Sequence, residues 1–193
     1  MSKKVSIVFH SVCGNNYLMA KEFYKEFKTH NADVNILNVV DPNLEEIAKQ
    51  FAIAGQYKND ILNIEEAKVE KLFDSDIIIF GSPTYFGNVS GAMKSFMDEF
   101  SPSWPEGRFW GKKTFAFTTA GTTEGGGDLC LAAINIFAHH MGMLPVPVPG
   151  DLVAGQSFPA YGLIHYVGDY GNLRPSGNTI TAIKEMTAKL MKI

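Results

Sequence analysis

Cysteine is scarce in this chain: Cys13 and Cys130 are the only two in 193 residues. Two thiols make neither a disulfide framework nor a CxxC site, and they cannot supply the four ligands of an iron–sulfur cluster. Charge is thin as well, with 17 Lys and Arg against 20 Asp and Glu and a net −3. That balance lacks the basic surplus of a domain that holds nucleic-acid phosphates. Long apolar runs are missing, since none approaches the ~18 residues of a membrane span. Lys3-Lys4 leads only into the short run Val5–Phe9, which does not read as a secretory signal. What the chain does have is 46% hydrophobic residues, a globular composition. The expectation is one soluble, cytoplasmic domain spanning residues 1–193.

Two hydrophobic periods alternate along that domain. Val5–Phe9 is a short, nearly continuous apolar run, as expected of a strand buried on both faces. From Tyr17 to Phe27 the period changes, and Met19, Phe23 and Phe27 fall four apart on one stripe of a helix. The same reasoning predicts strands over Val34–Val40, Asp76–Phe80, Lys113–Thr119 and Met143–Val148. Helices are predicted over Leu44–Ala54, Ala92–Phe100, Asp128–Met141 and Thr179–Met191, with an aperiodic stretch up to Asn63. Pro145 and Pro147 lack the ladder donor, so the fifth strand is short or lies at an edge. Strands alternating with helices predict an α/β fold, a parallel sheet covered on both faces. Ser101–Gly111 and Gly150–Asn178 are too long for ordinary connections and point to function.

In such sheets ligands bind outside the carboxyl ends of the strands, which singles out three segments. Ser11-Val12-Cys13-Gly14-Asn15-Asn16 joins the first strand to a helix start, where free N–H groups favour an anion. It matches neither the P-loop nor the three-glycine dinucleotide fingerprint. An ordinary turn capped by Ser11 or Asn15 accounts for it equally well. Pro83-Thr84-Tyr85-Phe86-Gly87-Asn88 follows the third strand and offers backbone polar groups and two aromatics to a flat, polar-edged ring. Local packing of those aromatics is the alternative. Thr119-Ala120-Gly121-Thr122-Thr123-Glu124-Gly125 follows the fourth strand and faces the same crevice.

Taken together, these segments resemble the WrbA-type NAD(P)H:quinone oxidoreductases, a flavodoxin-like family. Ala138-His139-His140, Ala160-Tyr161-Gly162, Gly168-Asp169 and Arg174-Pro175-Ser176 extend the resemblance over essentially the whole chain. It implies a three-layer sandwich with a five-stranded parallel sheet in the order 2-1-3-4-5. It also implies FMN as cofactor, with Ser11 to Asn16 on its phosphate and Pro83 to Asn88 on its ring. Thr119 to Gly125 would frame the ring's pyrimidine side, and His139 would approach the flavin from a neighbouring subunit. Trp104 would line the place where nicotinamide and quinone take turns. A homotetramer, or dimer of dimers, is implied as well. The sequence departs from the family at Cys13, where an aromatic is common, and at Tyr85, where well-known members carry an arginine.

The implied chemistry asks little of side chains, because the cofactor carries it. No catalytic nucleophile is assigned and no metal site is expected, since adjacent His139 and His140 point apart on a helix. His139 is a candidate to protonate bound quinone. With FMN bound, the Cys13 thiol is expected to be inert, and without it open to oxidation. Two other classes remain in play. A flavodoxin-type carrier would bind FMN without turnover of its own, although such carriers are usually shorter and more acidic. A protein-binding regulator would use no flavin at all.

Overall fold

The computed structural model describes residues 2–193. In chain order the elements are β1 (Lys4–Phe9), α1 (Asn15–Thr29), β2 (Asp33–Asn38), α2 (Leu44–Gln50), α3 (Ala52–Gly55), α4 (Lys58–Leu62), β3 (Ile77–Pro83), α5 (Gly91–Asp98), β4 (Lys113–Ala120), α6 (Gly127–His140), β5 (Leu144–Pro145), β6 (Leu163–Tyr166) and α7 (Asn178–Lys192). The sheet runs β2-β1-β3-β4-β5, with β6 also paired to β4, and every pairing is parallel.

Strand periodicity explains why the sheet has helices on both faces. Along β3, Ile77 and Ile79 join one core while Ile78 and Phe80 join the other, and all four are fully buried. The first core lies under α1 and α7. Met19, Phe23 and Phe27 on α1 meet Ile183, Met186 and Leu190 on α7, and the Phe23 ring stands 5.4 Å from that of Phe117 on β4. The second core lies under α5 and α6 and is dominated by phenylalanine: Phe100 is 4.8 Å from Phe109 and 5.0 Å from Phe137. Each ring sequestered there contributes about 1.5–3 kcal/mol by burial alone.

Three sequence expectations change. The helix expected over Leu44–Ala54 is two, because Phe51 turns extended (φ −125°, ψ 107°) between α2 and α3. The stretch expected to be aperiodic up to Asn63 contains α4. The fifth strand, expected over Met143–Val148, shrinks to Leu144–Pro145, with Pro147 just beyond it. It pairs only with Lys113 and Thr114 at the start of β4. The upper half of that edge is supplied by β6, whose Leu163–Tyr166 pair with Phe117–Ala120. That strand arises inside the segment expected to be irregular, so the sheet has six strands rather than five. No helix among the described residues is long and apolar enough to cross a membrane.

Candidate active site

All three singled-out turns leave the carboxyl ends of neighbouring strands and converge on one cleft. The first turn enters α1 through Gly14, whose left-handed backbone (φ 89°) starts the helix with no side-chain cap. That leaves the first N–H groups of α1 available to an anion. Ser11, Asn15 and Asn16 are buried beside them. Asn16 Nδ2 donates to the His10 carbonyl at 3.1 Å, and its Oδ1 is buried without a partner.

The second turn is a two-residue reversal. Tyr85 N–H donates to Asn88 O at 2.9 Å, and Asn88 N–H donates to Tyr85 O at 3.0 Å. Phe86 (φ 51°) and Gly87 (φ 75°) both take positive φ, the signature of a type I′ turn. Glycine adopts this freely, whereas a bulky aromatic is strained by it. The third turn packs directly on this reversal. A Cβ added at Gly126 (φ 77°) would stand 2.9 Å from Gly87 Cα, so backbone meets backbone there. Thr84 fastens the two strands below, with its N–H donating to Thr119 O at 2.8 Å and its hydroxyl sharing a 2.8 Å hydrogen bond with that of Thr118.

Between these turns lies a slot of about 140 Å³ lined by Ser11, Val12, Cys13, Asn15, Asn16, Pro83, Thr84, Tyr85, Thr119, Gly121, Val167 and Gly171. It opens past Cys13 and Tyr85 into a bowl of about 720 Å³, walled by residues 47 and 50–54 on one side and 167–172 on the other. Burial pushes the Cys13 thiol above its usual range, against the pull of the nearby Arg174 guanidinium. Burial likewise raises Tyr85, aided by Cys13 and Asp41. Both groups are therefore neutral near pH 7, and neither is set up as a base or nucleophile.

A family model described as NADPH-dependent FMN reductase matches residues 6–156. This chain belongs to that family. A NAD(P)H dehydrogenase (quinone) of Trichlorobacter lovleyi is 30% identical over 199 residues, covering 98% of this chain and 96% of its own. One from Archaeoglobus fulgidus is 31% identical over 157 residues, 80% of this chain and 82% of its own. Among solved structures, a flavodoxin, WrbA-like protein from Agrobacterium tumefaciens superposes with a TM-score of 0.68 at 20% identity, covering 99% of this chain and 98% of its own. The oxidised flavodoxin 1 of Bacillus cereus gives the same TM-score at 15% identity, covering 98% of each chain. These two carry the flavodoxin-like fold.

Most residues expected at the site fall into three groups, while Gly14, Gly87 and Asn88 shape the turns already described and Ala120 is buried at the end of β4. Ser11, Val12, Cys13, Asn15, Asn16, Pro83, Thr84, Tyr85, Thr119 and Gly121 line the cleft. Phe86 stands fully exposed at the tip of its turn, and Thr122, Thr123, Glu124 and Gly125 are exposed beyond the rim, where Thr123 donates to Glu124. His139 and Trp104 lie elsewhere. α6 starts at the cleft and carries His139 to its far end, about 20 Å away at 1.5 Å per residue. There Trp104 Nε1 donates to the His140 carbonyl at 3.0 Å. Trp104 thus sits against the C-terminal end of α6, at the residue that follows His139 and a helix length from the cleft.

Sequence reasoning missed the walls of the bowl: Phe51 with its neighbours, and Val167 to Asn172. The available signals were the length of Gly150–Asn178 and the family-like Gly168-Asp169 within it, which marked the segment without saying what it touches.

Proposed function

We propose that this chain is an FMN-dependent NAD(P)H:quinone oxidoreductase whose two substrates use one bowl in turn. The observation that carries the reading is the cleft itself, a narrow slot at a helix start, with hydroxyl and amide side chains among its walls, that widens into a bowl with room for a ring and a guest. The residues present suit the mononucleotide. The α1 N–H groups and the Ser11 hydroxyl offer donors to a phosphate. Asn16 Oδ1, unpartnered and buried, is placed to accept from a ligand hydroxyl. Thr84, Tyr85 and Gly121 flank the place of a planar ring.

FMN, held by the α1 N–H groups, Ser11 and Thr84, would supply the redox chemistry, acceptance of a hydride from NAD(P)H and two-electron reduction of a quinone. The chain's own part is to grip, orient and leave one side open. Tyr85, about half exposed at the mouth, faces that open side, and its protonated phenol adds no charge to repel the phosphates of an incoming dinucleotide.

Assembly and location belong to the same reading. A cytoplasmic homotetramer or dimer of dimers would bring His139 and Trp104 of one subunit to the cleft of another. Support comes from exposed apolar residues near that face: Phe86, Leu129 and Ile136 are all open to solvent, and Leu129 packs beside Gly87. The test is spectroscopic. The purified protein should be yellow, bleach anaerobically with NADH or NADPH, and recover its colour when benzoquinone is added, with steady-state turnover. Flavin binding without turnover supports a carrier instead, and a colourless protein that takes up no FMN sinks the proposal.

A further inference from the structure

The segment joining β6 to α7 lies across the outside of the first turn and is tied to it by polar atoms. Asn15 Nδ2 donates to the Gly171 carbonyl at 2.7 Å. Arg174 Nη1 donates to the Cys13 carbonyl at 2.6 Å and to Asn15 Oδ1 at 3.1 Å, while Nη2 donates to Gln56 Oε1. The guanidinium also lies 4.9 Å over the Tyr57 ring. Tyr57 in turn presses on the turn itself, since a Cβ at Gly14 would stand 2.2 Å from its ring. One cation therefore joins three segments around the helix start where an anion is favoured.

Two features separate this contact from ordinary fastening. First, all three oxygens it meets are neutral, so its charge is not cancelled by a carboxylate at the contact. Second, the segment is already rooted without it. Val167 N–H donates to Ala120 O at 2.9 Å, Leu173 N–H donates to Val167 O at 3.0 Å, and His165 Nε2 stands 2.9 Å from Leu173 O. Asn15 Nδ2 and Oδ1 each make one hydrogen bond to this segment, which holds the amide in place and leaves the second Nδ2 N–H and the backbone N–H for a ligand. Arg174 does not itself line the slot.

We propose that Arg174 is a positioning residue for the phosphate of the bound mononucleotide: it fixes the Cys13 carbonyl and the Asn15 amide on the outer side of the turn, and its charge offsets the phosphate through the turn without touching it. This deepens the FMN reading and rests on it. A phosphate dianion in the slot adds the negative charge that the guanidinium lacks, and partial burial keeps the attraction from being screened away.

The test compares FMN with riboflavin, which lacks the phosphate, by titrating flavin fluorescence against wild type, Arg174→Gln and Arg174→Lys at several salt concentrations. Arg174→Gln should weaken FMN by about tenfold, what one cation several ångströms from a phosphate contributes across a partly screened medium, and leave riboflavin unchanged. Arg174→Lys should recover part of the loss, because charge returns without the fork. The salt dependence of FMN binding should be shallower in Arg174→Gln than in wild type. If FMN and riboflavin weaken together, or neither changes, the proposal is overturned. A wild type that binds neither flavin defeats the FMN reading, and Arg174 is then judged with inorganic phosphate. Phosphate should raise the melting temperature of wild type and not of Arg174→Gln; equal shifts overturn the proposal.

Discussion

His10 and Asp41 occupy the ends of neighbouring strands behind the first turn, 3.3 Å apart, with side chains 2% and 12% exposed. The His10 contact holds the Asp41 carboxyl below its ordinary 3.8; burial works against it, and the Asn43 N–H, donating at 2.8 Å, adds to it. A carboxyl whose folded pKa is depressed stabilises the fold above its unfolded value and loses that contribution as pH falls through the folded one. Asp41→Asn should therefore be less stable than wild type at pH 7, with the gap closing as pH is taken below 3.8. Urea midpoints at a series of pH values check this, and a gap constant from neutral to acid pH counts against it. None of this was visible in the sequence, where His10 and Asp41 sit 31 positions apart (41 − 10) without a motif around them. Cys13 was legible in part: burial raises its thiol before any ligand is considered, the same direction that was expected of a bound phosphate.

At the scale of elements, the second and third turns act as one unit because Gly87 and Gly126 touch. Gly126→Ala adds a Cβ where the backbone of Gly87 stands and where φ is positive, a conflict of about 1–3 kcal/mol. A lowered melting temperature together with weaker flavin binding is expected. Gly91→Ala, at the first residue of α5, meets nothing within 4 Å and serves as the control. Alanine there should be neutral or stabilise by up to ~1 kcal/mol. Equal damage from both variants removes the claim that the turns are locked together. Turn chemistry made these segments readable, since glycine, proline and hydroxyl residues after a strand carry local meaning. The edge of the sheet was not readable, because Leu163–Tyr166 is a short run whose partner, β4, lies more than forty residues upstream.

For the molecule as a whole, the proposed assembly would have to bring His139 and Trp104 to the cleft of a neighbouring copy. His139 and Trp104 stand a helix length from the cleft, and within one chain no rotamer change spans that distance. Sedimentation of the FMN-loaded protein should show a species heavier than the 21.2 kDa single chain. Trp104→Ala should then raise the quinone KM while leaving the melting temperature nearly unchanged, as expected for a residue 62% exposed on its own subunit. A monomer that turns over at the wild-type rate removes both residues from the site.

The sequence by itself determined the alternation of strands and helices, the two-faced burial of β3, and the three turns that meet at the cleft. Each is written in residues within a few positions of one another, where periodicity and turn chemistry act. Tertiary structure decided what those turns face. Arg174 reaches the Cys13 carbonyl across 161 positions, Asn15 gives its side chain to a distant segment, and Phe86 is left in solvent at a strained tip. Contacts between such remote positions depend on how packed layers bring chain segments together, and no local pattern encodes that.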